Sequence, residues 1–373
     1  MRVLLLHDPY KPVQTGSIGG EDNIAQLEIE VLSSKGHEVV DARYFDNGIT
    51  RKLNQIRAQT FGSHESVIEL IEATKPDVIH THNLNQRSGY KWMESTLVPI
   101  VSSIHNFRLF CASSIAWRSG SPCIECRDHS SVRAVVHCCD GPRGLLNVSR
   151  QEIFQRNYPQ IHLPKLMIVT SNLMSEVLAP IADTSKFRLL RSPGVITKNE
   201  SINSRSGWIF AGRFAPEKGV LELIRNWPAD EKLDLAGDGP LREKIAVEII
   251  NKPNIRLIGT YPPGDSRIFL KYEGMMFPST WFEGSPLVVM DCLGAGTPVI
   301  CTDQSSAAEQ VQISKGGIVI PGNLTVTSIK SAQSEIRESF AILSNNAISA
   351  IETEFSLENW GNNLEKYLNE AVI

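Results

Sequence analysis

Glu283 and Asp291 stand eight residues apart, a little over two helical turns, with the apolar run Leu287-Val288-Val289-Met290 between them. That run reads as the buried face of a helix. Pro286 suits the helix's first position, where a missing N–H costs nothing. Gly284 and Ser285 then form a tight entry that leaves Glu283 in the preceding loop. Amides following Pro286 point out of the helix N-terminus, where partial positive charge collects and anions bind. Gly294 and Gly296 close the helix, and Thr297 to Cys301 reads as a short buried strand. A carboxylate, an anion-binding helix start and a second carboxylate suit a charged, hydroxyl-rich ligand such as a nucleotide sugar. The competing reading is an ordinary βαβ turn with solvated acids at its ends, and spacing alone does not separate the two.

Other chemistry-bearing residues fall at the ends of expected strands. Trp208-Ile209-Phe210-Ala211-Gly212-Arg213 runs into Phe214-Ala215-Pro216-Glu217-Lys218-Gly219, ahead of a helix from Val220 to Asn226. Two cations beside a helix start, Arg213 and Lys218, can neutralise a diphosphate. Ile255 to Tyr261 is a further strand end. Gly19-Gly20 lies at the mouth of the first βαβ crossover, where glycine lets the backbone approach a ligand. Val78 to His82 is a strand ending in two histidines, of which alternation favours His82 as the crevice-facing one, and Val98 to His105 is another strand ending in histidine. In an open parallel sheet the carboxyl ends of strands face the ligand crevice. A hydrogen-bonded core histidine is the alternative for each.

The wording of these segments resembles glycosyltransferase family four, a retaining GT-B family. Pro278-Ser279 through Ile300 follows its signature, with Asp291 where the family usually has Glu and Cys292-Leu293 where Ala-Met or Ala-Leu is common. Gly212-Arg213-Phe214 to Gly219 resembles its diphosphate-clamping motif, the Gly19-Gly20 loop its N-terminal pattern, and Val98 to Asn106 its strand ending in His. The resemblance implies two Rossmann-like domains facing each other across a cleft. Residues 1–192 would form the acceptor domain, with an insert at 107–165 and completion by a C-terminal helix at 356–373. Residues 193–355 would hold the donor. It implies retaining, metal-independent transfer of a sugar from a nucleotide-diphosphate sugar to an acceptor hydroxyl, in polysaccharide or glycoconjugate synthesis. Arg213 and Lys218 would stabilise the leaving diphosphate, and Glu283 would bind sugar hydroxyls. Asp291 would hold the ribose diol, and His105 would lie against the sugar. Gly19, Gly20, Tyr261, Gly284, Ser285, Leu287 and Val288 would line the donor site. No cofactor is required for catalysis. Two other readings stay open: a nucleotide-sugar epimerase of the same architecture, and a non-catalytic nucleotide-sugar binder, which the departure at Asp291 makes conceivable.

The insert changes composition. Cys123-x-x-Cys126 has the spacing of a zinc knuckle, and Cys111 and Cys138 lie twelve residues to either side. A structural zinc on these four thiols stands against a reading as buried free thiols. Between His105 and Lys165 there are eight Lys/Arg against four Asp/Glu, a local +4. With Phe107, Leu109, Phe110 and Trp117 interspersed, this suits weak attachment to an anionic membrane surface and a lipid-linked acceptor; a solvated face with a soluble saccharide acceptor is the alternative.

These residues need an α/β scaffold, and 373 residues suffice for two domains with full cores. Hydrophobic content of 42% and charged content of 21% are those of an ordinary globular chain, and the net charge of −4 argues against a nucleic-acid binder. Met1 to Leu6 is too short for the apolar core of a signal peptide and reads as a first buried strand. No apolar run approaches the about 20 residues of a membrane span. Seven cysteines, an odd number, do not suggest a secreted disulfide framework. The expected location is cytoplasmic, peripheral to the inner face of the membrane at most.

Overall fold

Val3 to Leu6 form an unbroken apolar run, and all four side chains are wholly buried, as in a parallel strand covered on both faces. They belong to Arg2–His7 (β1), the strand around which the first half is built. The computed structural model describes residues 1–7, 20–42, 65–82, 91–129, 132–139, 161–197, 204–262 and 264–373. Gly19, the polar loop at 11–19 and the helix expected at 149–158 lie outside the described residues.

The chain forms two compact units. The first comprises Met1–Ala116, Cys123–Leu190 and Gly361–Ile373, and the second Trp117–Pro122 and Arg191–Trp360. In the first, β1 leads to Gly20–Ser34 (α1), Glu38–Asp41 (β2), Glu65–Thr74 (α2), Val78–His82 (β3) and Ile100–Ile104 (β4). The insert expected to lack a clear strand holds a two-residue ribbon, Trp117–Arg118 (β5) against Ser121–Pro122 (β6). Two short helices follow, Glu125–Asp128 (α3) and Val132–Val136 (α4). Leu166–Val169 (β7), Asn172–Leu178 (α5) and Phe187–Leu189 (β8) complete the sheet. Its order is β2-β1-β3-β4-β7-β8, with all neighbours parallel. Successive strands step one way from β1 to β2 and the other way from β3 onward, so β1 and β3 flank the point where strand order reverses. Such points place a crevice at the strands' carboxyl ends.

The second unit repeats the theme. Trp208–Ala211 (β9), Val220–Asn226 (α6), Leu233–Ala236 (β10), Arg242–Glu248 (α7) and Ile255–Gly259 (β11) form its first half. Gly274–Phe277 (β12), Leu287–Gly294 (α8), Val299–Thr302 (β13), Ala307–Ser314 (α9) and Gly317–Ile320 (β14) form its second. The all-parallel order β11-β10-β9-β12-β13-β14 is that of a dinucleotide-binding Rossmann sheet, reversing between β9 and β12. Trp208, Phe210, Leu223 and Leu235 fill one face, and Met290, Leu293, Ala347 and Ile351 pack on the other. Arg205 fastens the lower edge, donating to the carbonyls of Phe269, Tyr272 and Ala295 and to Thr297 Oγ1.

A long helix, Val326–Glu352 (α10), opens on a Thr325–Ser328 capping box. Leu357–Val372 (α11) ends the chain, and its residues from Gly361 onward belong to the first unit. There Lys35 Nζ reaches Asn362 Oδ1 at 2.6 Å and Glu365 Oε2 at 3.0 Å. A Cβ on Gly361 would meet Val31 Cγ1 at 2.4 Å, so only glycine allows this approach to α1.

Candidate functional site

The carboxyl ends of β9 and β12 carry the cations and the first carboxylate. β9 runs out through Gly212 into Arg213, and the half-turn Pro216–Lys218 feeds α6 through Gly219. Gly219 has φ 69°, and a Cβ there would sit 2.1 Å from the Pro278 carbonyl, just beyond β12. Glycine at this point is what lets the two strand ends close on each other. Across the gap Lys218 Nζ lies 2.5 Å from Glu283 Oε1, which also accepts from Ser279 Oγ at 2.8 Å. The ammonium sits 4.8 Å from the centre of the Trp281 ring, a cation–π contact in a largely dry setting.

Glu283 is nearly buried and its backbone is left-handed, with φ 38°. A residue with a Cβ held there stores about 1–3 kcal/mol, a cost that concentrates at functional sites. Arg213 pairs with the buried carboxylate of Glu217 through a short hydrogen bond, while its own side chain is 48% exposed. Glu217's carbonyl in turn accepts from the Thr280 amide at 3.0 Å. Thr280 Oγ1 receives the Trp117 indole N–H at 3.1 Å, so the ribbon's tryptophan also belongs to this wall. The sequence singles out no role for Thr280 or Trp281, and Trp117, expected at a membrane surface, donates to Thr280 instead.

Pro286 stands one place earlier than expected, as the residue preceding α8, with φ −65° and an extended ψ of 116°. Its carbonyl still takes the Val289 amide, so the helix start is intact. Ser285's hydroxyl is engaged inside the protein: it accepts from the Ser192 amide and from Gln310 Nε2, each at 2.9 Å. Leu287 and Val288 are partly buried at the helix entry. Asp291, about one turn on, has its pKa pushed up to about 6 by burial. It lies close enough to Tyr261 that burial and the Asp291 charge together raise the phenol's pKa. Tyr261 packs edge-on against Phe269, with ring centroids 5.8 Å apart. Arg213, Lys218, Glu283, Gly284, Ser285, Leu287, Val288, Asp291 and Tyr261 thus all lie in the second unit, most of them at or beside its switch point.

His105 and Gly20 belong to the first unit, at the carboxyl side of its sheet. Gly20 is the first residue of α1. The buried residues of that helix, Ile24, Ala25, Glu28, Val31 and Leu32, follow the spacing of an apolar stripe with an acid in its middle. Glu28 is wholly buried and bonded to both strand-end histidines, His80 Nδ1 at 2.5 Å and His82 Nε2 at 2.8 Å. Positions 80 and 82 are two apart and therefore share a sheet face. The expectation that one faces a crevice while the other is structural gives way to a single buried cluster. His82 Nδ1 meets His105 Nε2 at 2.9 Å, and His7 Nε2 meets Asp22 Oδ1 at 2.6 Å beside them. Glu28 was missed in the sequence. The signal was an acid on the apolar stripe of α1, where an unpaired charge could not have been buried.

Among the described residues, ligand atoms of Glu28, His80 and His82 converge within 4.8 Å of one another, and the cysteines form no such group. Burial and then the thiols of Cys111, Cys139 and Cys123 push Cys126 up to about 11. The cysteine expected as the fourth member, Cys138, is exposed with φ 50°, and its neighbour Cys139 stands in its place near Cys126. Cys111 Sγ accepts the Ala116 amide at 3.3 Å. In the basic insert, Arg127 is tied to Asp128 and to the Val177 carbonyl. Arg143, Arg150 and Arg156 lie outside the described residues. Among the described residues no helix is long and apolar enough to cross a membrane.

Two Rossmann-type sheets, the second with its cations and carboxylates at the strand reversal, define a protein of the GT-B class. The family described as Glycosyl transferases group 1 matches residues 205–336, about a third of the chain. Over 126 residues the chain is 30% identical to a putative teichuronic acid biosynthesis glycosyltransferase, TuaC, of Bacillus subtilis (strain 168), covering 31% of each protein. Over 273 residues it is 23% identical to an uncharacterized glycosyltransferase, MJ1607, of Methanocaldococcus jannaschii, covering 69% of this chain and 66% of that one. The match thus spans about a third of the first of these curated relatives and just under two thirds of the other. Among solved structures, HepE of Anabaena in complex with UDP superposes with a TM-score of 0.67 at 15% identity, covering 99% of this chain and all of that one. Sucrose-phosphate synthase of Thermosynechococcus elongatus gives 0.69 at 14%, covering 99% and 98%.

Proposed function

We propose that the protein is a retaining glycosyltransferase that moves a sugar from a nucleotide-diphosphate sugar to an acceptor hydroxyl, without a metal. The observation that carries this reading is the Lys218–Glu283 pair at the switch point of the second sheet, with Asp291 about one turn into the following helix. As the bond between sugar and diphosphate breaks, negative charge grows on the leaving phosphate. Arg213 and Lys218 stabilise it electrostatically, the task a metal performs elsewhere. Glu283 binds sugar hydroxyls, Asp291 the ribose diol and Tyr261 the nucleobase side of the site, while His105 lies against the sugar. UDP is the first nucleotide to try, because HepE was crystallised with it.

The acceptor is a saccharide, free or lipid-linked, and the product a polysaccharide or glycoconjugate. The working location is the cytoplasm, with weak attachment to the inner membrane face through the basic insert. A structural zinc on Cys111, Cys123, Cys126 and Cys139 is part of the proposal; their sulfurs would have to draw together around the ion. The test is a panel of nucleotide sugars followed by diphosphate release and thermal shift. Release that depends on an acceptor supports transfer. Interconversion of the donor without acceptor marks an epimerase, and a thermal shift without release marks a binder.

A further inference from the structure

The buried cluster Glu28–His82–His105 is a chain of hydrogen bonds whose proton positions can be deduced one after another. Glu28 accepts on both carboxylate oxygens, from His80 Nδ1 at 2.5 Å and His82 Nε2 at 2.8 Å. Burial alone would raise this acid's pKa. The imidazoles of His80 and His82 outweigh that and hold it at about 2, so Glu28 is a carboxylate that only accepts. His82 must therefore carry a proton on Nε2. Burial lowers its pKa to about 4 against the pull of Glu28, so near neutral pH that is its single ring proton and Nδ1 holds a lone pair.

Nδ1 of His82 can then only accept, and the atom 2.9 Å away is His105 Nε2. The two rings are 16° from coplanar with centroids 5.1 Å apart, the arrangement of an in-plane N–H···N bond. His105 must donate from Nε2. It is itself held neutral, first by burial and then by His82, His7 and His80.

We infer that Glu28 and His82 are positioning residues that fix His105 as the neutral Nε2–H tautomer, with its lone pair on Nδ1. This rests on the reading of His105 as a sugar-facing residue only for its purpose: a fixed lone pair accepts from a hydroxyl and cannot act as a cation. The tautomer itself stands on the hydrogen bonds together with the neutral state of both rings. Among the described residues, the groups around the ring include His7 on β1, Asp22 and Glu28 on α1, His80 and His82 on β3, and Ser103 on β4. Ser103 meets His80 Nε2 at 2.9 Å. Glu28, His80 and His82 also converge as metal ligands do. In each pair, however, one hydrogen is shared between the two atoms, which a metal would have to displace.

The experiment is nitrogen NMR of the full chain with ring-labelled histidine, assigned by His105→Asn. The expected result is a His105 ring protonated on Nε2 and bare on Nδ1, unchanged from pH 6 to 8. Glu28→Gln, whose amide can donate as well as accept, should disturb that pattern, and His82→Asn should remove it. Three results would overturn the inference. They are a His105 proton on Nδ1, a doubly protonated ring at neutral pH, or one divalent ion per chain that is lost with Glu28→Gln. The wild-type spectrum decides even where a variant fails to fold. Because no turnover is measured, an unsuccessful activity screen leaves this result standing.

Discussion

Lys218 Nζ lies 2.5 Å from Glu283 Oε1, joining the half-turn after β9 to the loop after β12. Both side chains are largely buried, at 16% and 6% exposure. A diphosphate bound as proposed would share the ammonium with Glu283, which holds the cation in place. Arg213 is held by Glu217, while its side chain remains 48% exposed.

Each cation neutralises a nearly buried carboxylate, and that sets the cost of removing either. Losing a charge-assisted contact to an anion costs about 1.5–3 kcal/mol, roughly tenfold to a hundredfold in rate. Arg213→Ala should lower turnover by that factor and also lower Tm, because it leaves the buried Glu217 carboxylate without its cation. Lys218→Ala should lower turnover similarly and also lower Tm, because it leaves the Glu283 carboxylate nearly buried without its cation. Steady-state kinetics and thermal melts check both; wild-type turnover in the two variants would remove them from the diphosphate site.

If Asp291 holds the ribose diol as proposed, donor binding should depend on pH. Burial raises its pKa to about 6, so ionisation in the free protein is lost as pH falls below that value. If the ionised carboxylate accepts from the ribose diol, affinity for a UDP-sugar, whose phosphates do not titrate there, should fall by up to about tenfold per pH unit below 6. Asp291→Asn should bind more weakly at pH 7 and show a flat profile. Calorimetry from pH 5 to 8 checks this, and identical profiles for the two proteins would sever Asp291 from the ribose.

Much of the second unit could be read in the sequence because its functional residues sit in contiguous turns. Gly212 to Gly219 and Glu283 to Asp291 each encode their own local structure. The first unit was less legible. Glu28 contacts histidines more than fifty positions away, and a local pattern shows only a charge at a core position. His80 and His82 read as two separate cases, although the two-residue period of a strand puts them on one face. The engagement of Ser285 by Ser192 and Gln310 likewise depends on segments distant in sequence.

The cysteines test a distinction between neighbours. Metal analysis of protein purified without chelator should give about one zinc per chain. Cys139→Ser and Cys126→Ser should lower that content, while Cys138→Ser, at an exposed position, should not. Metal-free folded protein, or loss of zinc only with Cys138→Ser, would return Cys111, Cys123, Cys126 and Cys139 to ordinary thiols.

Membrane attachment rests on the local +4 of the insert. Each basic residue near an anionic surface contributes about 1 kcal/mol, less as salt rises. Sedimentation with anionic vesicles should carry the protein down at low salt and release part of it at physiological salt. Protein left in the supernatant at both would favour a soluble acceptor.

The central claim is retaining transfer at the second unit's switch point. The most direct measurement follows the anomeric proton by NMR during reaction of a UDP-sugar with a saccharide acceptor, alongside UDP release. The account predicts one UDP released per glycosidic bond formed, the donor's anomeric configuration kept in the product, and both signals slowed roughly tenfold to a hundredfold by Lys218→Ala. An inverted product, or a sugar epimerised on its nucleotide without UDP release, would contradict it.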